Sequence, residues 1–198
     1  MSQPGSSKID ALTFDTPPNR LTLLRILAVP AVVGLLAFPG FHNHVAAAVI
    51  FSLAAITDFF DGWLARASNT VTIYGKLLDP LADKFIVVGT LIMLQHMDRV
   101  HPFVVIVLIC RELGITSLRA LASAEGVIIA AGSGGKWKAA LQMVGIPFLI
   151  LHETLWDVVP CYWIGTSLLY LSVFLSLTSA FTYASGFFRE LRAKRGRG

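Results

Sequence analysis

Between residues 58 and 83 the chain carries four aspartates, Asp58, Asp61, Asp79 and Asp83, in an otherwise largely apolar stretch. On a helix Asp58, Asp61 and Ala65 share one face at i, i+3 and i+7, and Gly75, Asp79 and Asp83 share another at i, i+4 and i+8. The nine-residue connection from Arg66 to Gly75 makes the two helices antiparallel neighbours and brings the carboxylates together. Left alone, four such groups in a low-dielectric site repel one another and take up protons. A divalent cation resolves this. All-oxygen ligation with no paired His or Cys favours Mg²⁺ or Mn²⁺ over zinc, and four carboxylates suffice for two ions. Gly62 and Ala65 remove side chains beside these carboxylates, so that a flat or bulky group can approach the helix backbone, and Arg66 offers a planar fork suited to phosphate. Gly62 alone or Arg66 alone is accounted for by helix packing and a charge at a membrane boundary; the whole constellation is not.

A second set of charges is cationic: Arg111 beside Glu112, then Arg119, Lys136 and Lys138. Arg111 and Glu112 lie too far from the ends of their apolar run to snorkel easily. Pairing of Arg111 with Glu112, or with a carboxylate of the first cluster, is the plain alternative to a ligand role, and any cytoplasmic boundary can carry lysines. Four cations around one cavity suit an anionic partner such as a phosphorylated alcohol, and an uncharged one has no need of them.

The elements that position these groups follow from composition. Of 198 residues 55% are apolar and only 14% charged, where soluble domains carry about 25% charge, and the mean hydropathy is +0.70. A soluble fold has too little core to hide so much apolar surface, disorder is excluded by the same fraction, and two cysteines provide neither a disulfide framework nor a zinc set. The class that remains is an all-α integral membrane protein. Apolar runs at 21–38, 45–65, 77–94, 103–122, 137–151 and 162–184 predict six transmembrane helices in one bundle, the fifth being short. The expected organisation is a polar cytoplasmic arm over 1–20, a six-helix domain over 21–185 and a basic cytoplasmic tail over 186–198. The first twenty residues have no apolar core of a signal peptide, so none is expected.

With both termini cytoplasmic, the outside loops 39–44, 95–101 and 152–161 hold one basic residue, Arg99, of the sixteen in the chain. Arg189, Arg192, Lys194, Arg195 and Arg197 vote for a cytoplasmic tail that touches anionic headgroups. All five histidines fall at or near the outside ends of spans, which an interfacial placement explains. The run Gly132-Ser133-Gly134-Gly135-Lys136 is no P-loop, because Ala130 and Trp137 stand where a Gly and a Ser or Thr are needed. No nucleic-acid partner is expected.

The run Asp58-Phe59-Phe60-Asp61-Gly62-Trp63-Leu64-Ala65-Arg66, followed by Gly75, Asp79 and Asp83, resembles the signature of the CDP-alcohol phosphatidyltransferases at every position that defines it. The resemblance extends to the six-span layout. It implies that fold, in the cell (inner) membrane, and a Mg²⁺- or Mn²⁺-dependent exchange of CMP for an alcohol at the cytoplasmic face. It further implies that Asp58, Asp61 and Asp79 hold two metal ions, and that Asp83 contacts metal and acts as base on the acceptor hydroxyl. Gly62, Ala65, Arg66 and Gly75 fall at nucleotide and diphosphate contacts, as do Pro18, Asn19, Arg20 and Thr22 just before and at the start of the first span.

The stretches from Cys110 to Arg119 and from Gly135 to Met143, with Asn19 to Arg25, resemble the phosphatidylglycerophosphate synthase branch of that family. That branch takes CDP-diacylglycerol as donor and sn-glycerol 3-phosphate as acceptor, which assigns the acceptor phosphate to Arg111, Arg119, Lys136 and Lys138. Relatives using phosphatidylglycerol or an inositol phosphate are the alternatives within the class. A cation transporter is the alternative outside it, and it is disfavoured because all four aspartates sit toward one membrane face rather than at the midplane. A homodimer is an expectation that comes from relatives alone.

Overall fold

A computed structural model describes residues 17–68, 73–126, 134–155 and 158–196. Among them are six helices: α1 (Pro17–Ala37), α2 (Phe41–Ser68), α3 (Ile73–His96), α4 (Pro102–Ala124), α5 (Gly134–Leu151) and α6 (Cys161–Arg195). A two-stranded antiparallel ribbon, β1 (Thr154–Leu155) and β2 (Val159–Pro160), stands between α5 and α6 and pairs Leu155 with Val159. Among the described residues the protein is all-helical apart from that ribbon. It divides into two compact units, Met1–Leu94 and Gln95–Gly198.

In the first unit α1 packs on α2. The turn between them is written in Pro39 and Gly40: Gly40 has φ +141°, a conformation closed to most side chains, and its carbonyl accepts from His44 N at 3.1 Å. The core joins Val32 and Leu36 of α1 to Ala47, Ala48 and Phe51 of α2. Gly89 lets α3 approach α1 closely, since a Cβ there would stand 3.2 Å from Val29 Cγ1.

In the second unit α6 packs on both α4 and α5. The closest approach is at Gly145 and Gly165, where a Cβ on Gly165 would lie 2.7 Å from Leu149 Cγ and 2.9 Å from the Gly145 carbonyl. Small residues at a crossing let two backbones meet, a device common where lipid supplies no hydrophobic driving force. Helix α4 begins on His101, whose Nδ1 accepts from Phe103 N at 3.2 Å, with Pro102 in the first turn where its missing N–H costs nothing. It ends at Glu125 and a left-handed Gly126, whose amides bond the Leu121 and Ser123 carbonyls.

The end of α5 is satisfied group by group. A helix leaves its last four carbonyls without intrahelical donors. Here His152 N donates to Phe148 O at 2.9 Å, Glu153 N donates to Leu151 O, and the Arg99 guanidinium donates to Leu149 O at 3.3 Å and also to Ile150 O.

Three boundaries differ from the sequence expectation. Helix α1 starts at Pro17, inside the expected 1–20 arm; α6 continues through the expected 186–198 tail to Arg195; and the connection expected between Arg66 and Gly75 is entered by helix from both sides, α2 running to Ser68 and α3 starting at Ile73. In each case the helix outlasts the apolar run because nothing in the polar residues beyond it stops a helix.

One helix among the described residues, over Cys161–Lys194, is long and apolar enough to cross a membrane; shorter apolar stretches occupy Leu21–Ala37, Phe41–Thr57 and Lys84–His96. Arg111, Glu112 and Arg119 interrupt the apolar surface of α4, and Lys136 with Lys138 that of α5. Large apolar side chains lie exposed on the helices, among them Leu24, Leu27, Leu53, Phe85, Phe103, Ile106, Leu113, Phe174 and Phe181.

Candidate active site

Helix α2 carries Asp58, Asp61, Gly62, Ala65 and Arg66 in its final third, and α3 carries Gly75, Asp79 and Asp83 in its first half. Counted from the connection, Asp58 stands ten residues back along α2 and Asp83 ten residues into α3, while Asp61 and Asp79 stand seven and six. At a rise of about 1.5 Å per residue these positions lie roughly 10 and 15 Å from the connection, each measured along its own helix. Were these four residues to hold a metal, they would offer oxygen alone, a chemistry that fits Mg²⁺ or Mn²⁺. The side chains from Asp58 to Pro80, and that of Asp83, lie outside the described residues, as do those of Pro18, Asn19 and Arg20 in the first turn of α1.

Thr22, expected at a nucleotide contact, is buried on α1. One turn further on, Arg25 is buried as well, and both residues take part in polar or electrostatic interactions. A buried arginine on the element that begins with Pro18 and Asn19 had one sequence signal, its place inside an apolar run.

The second unit brings together two of the four expected phosphate-binding cations. Arg111 of α4 and Lys138 of α5 converge on one carboxylate oxygen, Glu112 Oε2, at 3.2 and 2.5 Å. Arg111 is also fixed to α6, its Nε donating to the Ser176 carbonyl at 3.1 Å. Its side chain is 8% exposed and that of Lys138 11%, so both charges are held largely out of solvent. Such a pair of cations is tolerated at that depth only with an anion beside it. Gln142, one turn beyond Lys138, is buried too.

Arg119 and Lys136 are placed differently. Arg119 lies with its guanidinium carbon 5.6 Å from the centre of the Tyr183 ring, and Lys136 is exposed near the start of α5. The alternative weighed for Arg111, an ion pair with Glu112, is present; the same carboxylate also takes Lys138, which sequence separation hides.

The model of the CDP-alcohol phosphatidyltransferase family matches residues 15–178. The chain belongs to that family. The match covers α1 to α5 and half of α6, and so includes both the aspartate helices and the Glu112 cluster. Among similar proteins, a Bacillus subtilis protein named CDP-diacylglycerol–glycerol-3-phosphate 3-phosphatidyltransferase is 35% identical over 180 residues, covering 85% of this chain and 93% of its own. A Wigglesworthia glossinidia brevipalpis protein of the same name is 36% identical, covering 88% of this chain and 96% of its own. One from Rickettsia typhi, also so named, is 33% identical over 84% of this chain and 93% of its own.

Proposed function

We propose that this protein transfers the phosphatidyl group of CDP-diacylglycerol to sn-glycerol 3-phosphate, giving phosphatidylglycerophosphate and CMP. The observation that carries the reading is the aspartate pattern from Asp58 to Asp83, carried toward the end of α2 and in the first half of α3. The acceptor assignment is supported by the convergence of Arg111 and Lys138 in the second unit, and by the names of relatives that align over more than four-fifths of this chain.

In the proposed reaction the primary hydroxyl oxygen of glycerol 3-phosphate attacks the donor phosphorus that bears diacylglycerol. A new P–O bond forms there as the bond to CMP breaks, and CMP departs with the electron pair. Asp83 takes the hydroxyl proton, which a carboxylate within hydrogen-bonding reach can do as attack proceeds. Asp58, Asp61, Asp79 and Asp83 would hold two Mg²⁺ or Mn²⁺ ions, which when bound would neutralise the diphosphate and the charge developing on CMP. Gly62, Ala65 and Gly75 leave the helix surfaces bare for the nucleotide, Arg66 pairs with the diphosphate, and Pro18, Asn19, Arg20 and Thr22 contribute from α1. Arg111, Arg119, Lys136 and Lys138 bind the acceptor phosphate, Arg111 and Lys138 being the two that converge on Glu112.

The six helices span the inner membrane with both termini cytoplasmic. The many exposed apolar side chains support this, since contiguous exposure on that scale is not sustained in water. So does the placement of His42, His44 and His96, which fall at the ends of α2 and α3 away from the aspartates on those same helices.

Substitution of the aspartates tests the chemistry. Asp83→Asn keeps shape but cannot accept the proton; the expected result is CMP release reduced at least a thousand-fold with CDP-diacylglycerol binding largely retained. Asp61→Asn is expected to weaken metal-dependent donor binding as well. Full activity of either variant, or undiminished turnover in excess chelator, would contradict the reading.

A further inference from the structure

Helix α6 contains several hydroxyls, and four of them are spent on its own backbone. Ser172 donates to Leu169 O at 2.7 Å, Thr178 to Phe174 O at 3.0 Å, Thr182 to Thr178 O at 2.9 Å and Ser185 to Thr182 O at 3.0 Å. This back-bonding is the ordinary resting place of a helical hydroxyl that has nothing else to do. Ser176 departs from it. Its Oγ is buried, the residue being 1% exposed, and has no partner among the described residues.

A buried hydroxyl left unpaired is costly, and its persistence asks for an explanation. Thr166 of the same helix is also unpaired, but Ser176 is the one whose peptide is bonded to a charged side chain, Arg111. At that point three helices meet. Arg111 of α4 touches the Ser176 carbonyl, and Glu112, its chain neighbour, takes Arg111 Nη1 and Lys138 Nζ of α5 on the same oxygen. Guanidinium has five N–H donors in a rigid fork. Nε and Nη1 are committed, whereas Nη2 makes no bond among the described residues. Arg111 thus keeps an uncommitted donor edge, and its Nε is bonded to the peptide of the very residue whose buried hydroxyl is idle.

We infer that Ser176 is a further acceptor-binding residue: its hydroxyl and the Nη2 edge of Arg111 form one anion seat, with Glu112 as the positioning residue that holds Arg111 and Lys138 in place. The inference rests on the proposed function and adds two residues to it. The ligand chemistry is a phosphate monoester, whose tetrahedral oxygens accept from a guanidinium edge and a hydroxyl together. Glu112 acts through the cations and not on the ligand. By sharing one oxygen between an arginine and a lysine on different helices, it fixes their spacing before the acceptor arrives, which lowers the cost of ordering them on binding.

The test uses the full-length protein reconstituted in vesicles, with CMP release read against glycerol 3-phosphate and against CDP-diacylglycerol. Losing one hydrogen bond to a charged ligand should raise the acceptor KM of Ser176→Ala roughly tenfold. The donor KM should change by less than about twofold, and Ser176→Thr, which keeps the hydroxyl, should recover most of the loss. Glu112→Gln should raise the acceptor KM similarly, and Arg111→Gln by more. A hydroxyl that is merely buried predicts something else, a Ser176→Ala protein of equal or higher melting temperature with an unchanged acceptor KM. That outcome with Arg111→Gln still impaired overturns the inference and leaves the proposed function standing. An unchanged acceptor KM in all three variants, Ser176→Ala, Glu112→Gln and Arg111→Gln, overturns both.

Discussion

Arg99, between α3 and α4, donates to two carbonyls of α5, and Arg111 of α4, in the same unit, donates to one of α6, yet the carbonyls differ in what they need. Leu149 and Ile150 belong to the last turn of α5, where no intrahelical donor exists, so Arg99 completes a helix end that would otherwise bury two orphan acceptors. Ser176 sits in the middle of α6, where its carbonyl lies within the helical ladder, and Arg111 brings nothing that α6 lacked. In the first case the arginine serves the backbone. In the second the backbone serves the arginine, together with Glu112, by pinning a charged fork at a chosen place. An arginine bonded to carbonyls is therefore no sign of function until one asks whether the acceptor was short of a donor.

The comparison can be broken from either side. The largest effect expected is on binding: Arg111→Gln or Lys138→Ala should raise the KM for glycerol 3-phosphate roughly ten- to a hundred-fold, as loss of a charge-assisted hydrogen bond typically does. Donor KM and melting temperature should change little. Arg99→Gln should do the reverse. Removing donors from two helix-end carbonyls is expected to cost about 1–3 kcal/mol of stability, seen as a lower melting temperature in detergent, with both KM values unchanged. An Arg99 variant with a selective acceptor defect would erase the distinction.

The smallest effect concerns pH at the Arg99 end of the unit. His152 lies just beyond α5 in a left-handed conformation, φ 58°, edge-on to Tyr162 with ring centres 5.1 Å apart. Burial holds its pKa below the ordinary 6.5, the neighbouring Arg99 charge pushes the same way, and Glu153 opposes. Its neutral form is thus the one that folding favours. The stabilisation from it is complete above the ordinary value and is lost as pH falls toward and through the lowered one. Melting temperature should decline modestly below about pH 6.5, and His152→Asn, whose residue tolerates φ > 0, should flatten that decline. An unchanged slope would remove His152 from the account.

Much of this was legible in the sequence because charge in an apolar chain is conspicuous. The aspartates announce themselves by type and spacing, and Pro39-Gly40 marks its turn by backbone chemistry. The helix ends were less legible, since an apolar run records where lipid begins and not where a helix stops: Arg189-Glu190-Leu191-Arg192-Ala193-Lys194 are good helix formers, so α6 runs on past its apolar stretch. The two-residue strands of the ribbon at 154–160 are too short to leave a periodic signal. The link between Glu112 and Lys138 depends on how α4 and α5 pack, which no local pattern encodes. Ser176 was hidden for another reason. In a helix a serine reads as packing, and only the missing back-bond together with the Arg111 bond to its peptide singles it out.

The most direct test of the central claim is acceptor choice. Purified protein reconstituted with CDP-diacylglycerol and Mg²⁺ or Mn²⁺ should release CMP at saturating glycerol 3-phosphate, with phosphatidylglycerophosphate as the lipid product. Glycerol, inositol and phosphatidylglycerol should serve at least a hundred-fold less well, because none presents a phosphate monoester to Arg111 and Lys138. Equal CMP release with glycerol or inositol would contradict the acceptor assignment, and no CMP release with any alcohol would contradict the proposed reaction itself.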